Sequence, residues 1–466
     1  MRLQVVTGDA WQRGGGEFVA VWTSADQAFA LFDDRFVATE LIDAAYPALS
    51  PRHPGAAWFE RLAREMNGVA AFGAAPAGGA TQLHLAAAGT PPGTPPGTPP
   101  WPEFPLPAAE GAHQIAVGPV HAAIIEPGHF RLSVIGERVL SVQARLGYSH
   151  KGTLALLRGK SPRLAARFAA RVSGDATVGH SLAFAHAAEA ALGVAVPARA
   201  GQLRAVMAEL ERCANHAGDI GAIAGDAGFA FLEARFGWHR ESFCAAAAAA
   251  FGHRLMMDMV IPGGVAGDMK TGGAAAIERA LAALEVELPG LTRVFEDYAS
   301  LQDRLVGTGH ISAALAGRYA AGGFVGRASG RRVDARVAPG YAPYDGLEVR
   351  VPVAHDGDVG ARVRIRLAEL AESARLIRLL LAGLAGGQIA VAPPGGSGMG
   401  LGVAETFRGP AWHWLNISSG VITDAFIADP STLHWPLLEH AAMGGIVADF
   451  PLINKSINAS YSGVDL

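Results

Sequence analysis

Residues 89 to 100 run GTPPGTPPGTPP, and this repeat constrains the fold more than any other feature of the chain. Its prolines lack amide hydrogens and its glycines disfavour any regular element, so neither a helix nor a strand can continue through it. The expectation is a linker over 89 to 108, separating a small unit at 1 to 88 from a domain at 109 to 466. In the small unit, FVAVWTS (18 to 24) and AFALFDD (28 to 34) have strand composition and WFERLAREM (58 to 66) has helical spacing, which predicts a separately folding α+β domain. Beyond the linker, HFRLSVIGERVLSVQARLG (129 to 147) alternates about Gly136-Glu137 as a β-hairpin would. Alanine-rich or periodic stretches at 163 to 192, 201 to 224, 239 to 259 and 361 to 384 predict helices. The expected class is α+β: mainly a helical bundle with flanking β-hairpins, preceded by the small α+β domain. Residues 326 to 349, dense in Gly, Pro and Arg, are expected to form an ordered loop around the bundle, with tyrosines and arginines suited to a partner interface.

With 50% hydrophobic and 17% charged residues among 466, the chain can bury substantial cores. A net charge of −4 gives no attraction to phosphate backbones, so nucleic acid is not an expected partner. The two cysteines, Cys213 and Cys244, form no C-x-x-C pair and are expected to be small core residues in a reducing compartment. MRLQVVTGDAWQ lacks a basic start followed by an apolar run, which argues for a cytoplasmic location. No stretch approaches the roughly twenty apolar residues of a membrane span: the alanine run 245 to 250 is short, and Arg378 interrupts LIRLLLAGLAGG. Any membrane association is expected to run through partner subunits.

Six segments in order carry a family resemblance: GPVHAAIIEPGHFRL (118 to 132), GYSHKG (147 to 152), ELERCANHAGDIGAIAGDAG (209 to 228), IPGGVAGD (261 to 268), ETFRG (405 to 409) and DPSTLHWP (429 to 436). Together they resemble the large subunit of membrane-bound energy-converting hydrogenases and its relative, the quinone-site subunit of complex I. WFERLAREMNGV (58 to 69) is similar to a helix of the small hydrophilic complex I subunit that several such hydrogenases carry fused in front, departing from it at Asn67. The resemblance implies a hydrogenase large-subunit-like fold, an iron–sulfur cluster on a small partner subunit, membrane subunits in the same complex, and a place on the inner face of the cytoplasmic membrane.

A nickel–iron centre takes four thiolates from two C-x-x-C pairs, because soft sulfur binds nickel and bridges the metals. By the resemblance, the first pair falls in RVSGDA (171 to 176), where Ser173 and Ala176 stand instead, and the second in NASYSG (458 to 463), where Ser460 and Gly463 stand. Hydroxyls are hard ligands, and alanine and glycine offer no donor, so neither a metal nor hydrogenase activity is expected. The quinone set is incomplete too. Its tyrosine position falls on Gly174 and its histidine on Pro127, with His129 nearby, while its carboxylate persists as Asp226.

Glu126, His121, His129, Asp226 and Arg408 remain as catalytic candidates around a cleft that Ser173, Ala176, Ser460 and Gly463 would line. The resemblance gives Glu126 a proton-transfer role, and a glutamate buried beside a histidine would have a perturbed pKa suited to it. Structural roles compete: Arg408 pairing with Glu405, Asp226 capping a turn, His121 fixing its loop, and His216 as an internal hydrogen-bonder. Gly263 and Gly264 sit in no strand-loop-helix nucleotide pattern, so NADH chemistry would belong to another subunit. Two functions stay open. One is an oxidoreductase subunit passing electrons from an iron–sulfur partner to a quinone or an unidentified acceptor. The other is a non-catalytic structural or coupling subunit that kept only the interface. An open polar cavity favours the first, a plugged cleft the second.

Overall fold

The computed structural model describes Met1 and residues 3–74, 82–83, 104–122 and 125–466; the repeat 89–100, and with it most of the expected linker 89–108, lies outside the described residues. Near the N-terminus, Phe18–Thr23, Gln27–Phe32 and Phe36–Glu40 form an antiparallel meander, and Leu3–Val5 joins Phe36–Glu40 in parallel. The helix Ala56–Asn67 buries Trp58, Phe59 and Leu62, and stops where Gly68 takes a left-handed φ of 69°. This unit does not close on itself. Trp22 stacks on Phe426 with ring centroids 4.7 Å apart and planes within 6°, and Phe29 lies 5.0 Å from Trp414. One apolar core therefore spans the small unit and the larger domain, so residues 1 to 88 folding separately would leave the Trp22 face without its cover.

The hairpin forms as its alternation predicts, His129–Ile135 against Arg138–Leu146, with Gly136 at φ 56° in the turn. The helix expected over 163 to 192 is instead two, Pro162–Ala169 and Thr177–Leu192. Side chains from elsewhere engage the backbone around the break. Lys151 Nζ donates to the carbonyls of Arg171 and Val172 at 2.6 and 2.9 Å, and the Glu211 carboxylate accepts the amides of Val178 and Gly179 at 2.7 and 3.0 Å. The helix expected over 239 to 259 lies at Ala230–Phe251 and ends at Gly252, φ 87°. The long helices Ala198–Asp226 and Val359–Ala382 pack side by side, the latter N-capped by Asp358.

A three-stranded meander, Gly398–Thr406, Gly409–Ser418 and Val421–Ala428, covers the helix Thr177–Leu192. Its first strand approaches the helix through alternate glycines: a Cβ on Gly400 or Gly402 would sit 2.1 Å from the carbonyl oxygen of Ala187 or Ala183. In the loop 326–349, Arg332 is exposed, but three of the arginines and tyrosines expected at a partner interface are not. Arg327, Arg336 and Tyr344 are buried, Arg336 reaching Glu209 at 3.0 Å and the Tyr344 hydroxyl donating to Glu209 at 2.6 Å. Among the described residues, no helix is long and apolar enough to cross a membrane.

Candidate functional site

The loop 170–176, the C-terminal segment 458–463, the 117–126 loop and the far half of the helix Ala198–Asp226 converge on a cavity of about 720 Å³. Ser460 borders it, and Ser173, buried behind, places its hydroxyl oxygen 2.8 Å from that of Ser460 although the two are 287 residues apart in sequence. Ser173 also donates to Asp175 Oδ1 at 2.9 Å, so the chain of donors runs from Ser460 through Ser173 to Asp175. The Gly463 amide completes it by donating to Ser460 Oγ at 3.0 Å. Asp175 takes both Arg408 Nη atoms at 2.7 and 2.6 Å. Burial pushes the Asp175 carboxyl up, but the Arg408 guanidinium outweighs it and holds the group below the usual carboxylate range.

Arg408 therefore does not pair with Glu405. Glu405 turns to Arg327 at 3.0 Å and to the Ala335 amide at 2.9 Å, on the far side of the hairpin turn. Glu126 borders the cavity and accepts the Ser462 amide on Oε2 at 2.9 Å, which leaves Oε1 for the cleft. His121 also borders it, with Nε2 bonded to the Gly128 carbonyl at 2.8 Å. Asp226 sits at the open end, where enclosure by the walls pushes its carboxyl up against the pull of Lys455.

His129 does not join this set. Strand alternation sends Phe130 inward against Trp435 and Tyr461, and sends His129 to the other face, beside Phe104 at 5.4 Å and hydrogen-bonded to the Gly118 carbonyl. Ser173, Ala176 and Gly463 are buried and do not border the cavity; of the four ligand positions, Ser460 alone does. His216 lies in the interior, 2.7 Å from Glu369.

These residues do not fit a nickel–iron centre. Two of the four positions hold hard hydroxyls that bond each other, Ala176 and Gly463 offer no donor, and a Cβ on Gly463 would meet Asp429 Oδ2 at 2.4 Å. Among the described residues, no group of three His, Cys, Asp or Glu side chains could hold a metal ion.

Asp175, Asn215, Asp219, Arg240 and Lys455 also line the cavity and escaped sequence reasoning. A signal existed for part of the set. Asn215, Asp219, Ala222 and Asp226 recur at helical spacing and form one small and polar stripe along the helix. Behind that wall, Glu211 is buried and caps the helix Thr177–Leu192, and burial pushes its carboxyl up to about 8. Folded Glu211 therefore keeps a proton that the unfolded chain, at its ordinary value of 4.5, releases. Stability should fall as pH rises from that value through about 8, by at most ~1.4 kcal/mol per pH unit. Denaturation midpoints across that range should fall less steeply in Glu211→Gln; an identical slope in both proteins would assign the dependence to other groups.

A family model described as "Respiratory-chain NADH dehydrogenase, 49 Kd subunit" matches residues 228–396. Formate hydrogenlyase subunit 5 of Escherichia coli (strain K12) is 28% identical over 443 residues, covering 90% of this chain and 77% of the relative. Carbon monoxide-induced hydrogenase of Rhodospirillum rubrum is 30% identical over 354 residues, covering 75% of this chain and 98% of the relative. Among solved structures, a chain of the membrane-bound sulfane sulfur reductase, an archaeal respiratory membrane complex, superposes with a TM-score of 0.72. It is 24% identical and covers 77% of this chain and 100% of its own, a likeness of fold.

Proposed function

The chain belongs to the family that unites large subunits of hydrogenases with the 49 Kd subunit of respiratory NADH dehydrogenase, and from that premise we propose that it is the hydrophilic, acceptor-reducing subunit of a membrane-associated oxidoreductase complex. Electrons arrive from an iron–sulfur cluster on a partner subunit and pass to a small acceptor in the cleft, a quinone or another reducible molecule. The complex sits on the cytoplasmic face of the membrane, held there by its membrane subunits. Hydrogen chemistry is not part of this reading, since the donor set does not suit nickel and iron.

One observation carries the proposal: the cleft is open, and ionisable side chains from separate segments, Glu126, Asp226, Arg240 and Lys455 among them, line it, where a vestigial one would be filled. The acceptor gains negative charge with each electron, and the chain's own groups answer it. Glu126 Oε1 supplies a proton to the reduced acceptor, while Lys455 and Arg240 offer donors along the wall. Asp226, at the mouth and with its carboxyl raised, takes the next proton from solvent.

Purification of the native complex with identification of its subunits and metals tests this. The expected result is a cluster-bearing subunit beside this chain, and no near-equimolar nickel that survives chelation. A complex without any cluster-bearing subunit would remove the redox role and leave the structural or coupling one.

A further inference from the structure

We propose that a second cavity, separated from the cleft at Gly463, is a binding site for an apolar amine: a hydrophobic body carrying one ammonium group. This site goes beyond the acceptor-reducing role and does not depend on it. The cavity, about 520 Å³, lies where residues 17–19, Asp33 and Phe59 of the N-terminal unit meet residues 320–339, 410–412 and 428–433 of the larger domain. Its size falls in the range of roughly 300–1,000 Å³ typical of small-molecule sites. Phe18, Phe59, Trp412, Leu433 and Val351 make its walls mainly apolar, so it favours a hydrophobic body.

The charges select the head group. Asp429 borders the cavity, and its side chain is 1% exposed. Its Oδ2 accepts from His180 Nε2 at 2.9 Å and its Oδ1 from the Ser431 amide at 2.7 Å. No lysine or arginine bonds it among the described residues. Burial pushes the Asp429 carboxyl up, yet the His180 contact and the field of Arg408 bring it down to about 2, so it carries a negative charge at neutral pH. Each carboxylate oxygen has a lone pair left after these bonds. With its side chain this closed off, the anion acts on the space beside it through its field, which favours a cation there.

The rim repeats the sign. Asp33 and Glu17 stand there, Asp33 tied to the Glu17 amide and Glu17 paired with Arg331. Asp33 is exposed and forms no ion pair among the described residues, and the lining sets one cation, Arg332, against the four carboxylates of Glu17, Asp33, Asp334 and Asp429. An ammonium group is thus matched by carboxylates at the base and the rim, and by the faces of Trp412, Phe18 and Phe59 on the way in. An anion would face the same carboxylates with Arg332 alone to pair it.

Three probes that share one skeleton test the assignment on the full chain: phenylbutylamine, phenylbutanol and phenylbutyrate, titrated by calorimetry near neutral pH. The amine should bind about tenfold more tightly than the alcohol, and the carboxylate should bind more weakly than both. Asp33→Asn, a change at an exposed position, should weaken the amine several-fold and leave the alcohol alone. Val337→Trp, at an exposed position of the rim, should weaken all three, with thermal unfolding reporting that each variant is folded. Three results would overturn the proposal: no binding by any probe, a carboxylate as tight as the amine, or amine binding indifferent to both substitutions. None of these outcomes bears on the cleft, whose role is tested in the native complex.

Discussion

Replacing Glu126 by glutamine should lower turnover of the assembled complex by about 10²–10⁴-fold, the usual contribution of a positioned acid or base. Glutamine has the same shape, and its carbonyl oxygen can still accept the Ser462 amide that Glu126 Oε2 now takes at 2.9 Å. The loop and the serine pair should therefore stay in place, and the loss should fall on turnover, with the Michaelis constant nearly unmoved. Steady-state rates of variant and unaltered complex, with matched subunit content, measure this. Unchanged turnover would mean that protons reach the acceptor by another group, with Asp226 the next to test, while the fold stands as it is.

Glu369→Ala should cost about 3–5 kcal/mol of stability, the range for removing one partner of a buried ion pair. Glu369 is 1% exposed and sits where three elements meet. Arg327 Nε lies 2.7 Å from its Oε1, close enough to pair in charge although the N–H is not aimed at the oxygen; His216 Nε2 lies 2.7 Å from Oε2, and Arg212 3.8 Å away. Burial alone would push the Glu369 carboxyl up, yet Arg327 and His216 outweigh it and hold the group far below the usual range. Alanine would leave these donors facing one another in the interior. Denaturant midpoints of the variant and of the milder Glu369→Gln measure the cost. A loss under about 1 kcal/mol would show that Asp334 and Glu405, which also reach Arg327, suffice to balance it.

The contrast between what the residues announced and what they hid follows the range of the forces involved. The hairpin at 129–146 was legible because both its signals are local, an alternating pattern and a glycine at the turn. The break between Ala169 and Thr177 was not, because its causes, Lys151 and Glu211, approach from other parts of the chain. The strand at Gly398–Thr406 hid behind its own glycines, which suggest a loop until the helix backbone they accommodate is in view. At the site, the Ser173–Ser460 contact was reachable through the family resemblance, since two motifs far apart had to meet. The Asp175–Arg408 pair was not: neither parent motif asks for an aspartate there, and only the geometry shows the arginine's charge being answered by it. His129 was placed in the cleft by nearness in sequence, although alternation from the inward Phe130 already turned it away.

The stacking of Trp22 on Phe426 sets a schedule for biosynthesis. The sheet that carries Trp22 leaves the ribosome before the ring that covers it, which is encoded roughly 400 residues later, about 20–80 s at ordinary translation rates. Throughout that interval the nascent chain carries an aromatic face, made of Trp22, Phe29 and Phe36, without its cover. The strand Val421–Ala428 thus acts as the closing step for the sheet that carries Trp22, and a ribosome stalled before Phe426 holds a polypeptide suited to capture by a chaperone that recognises exposed aromatic sheet surface.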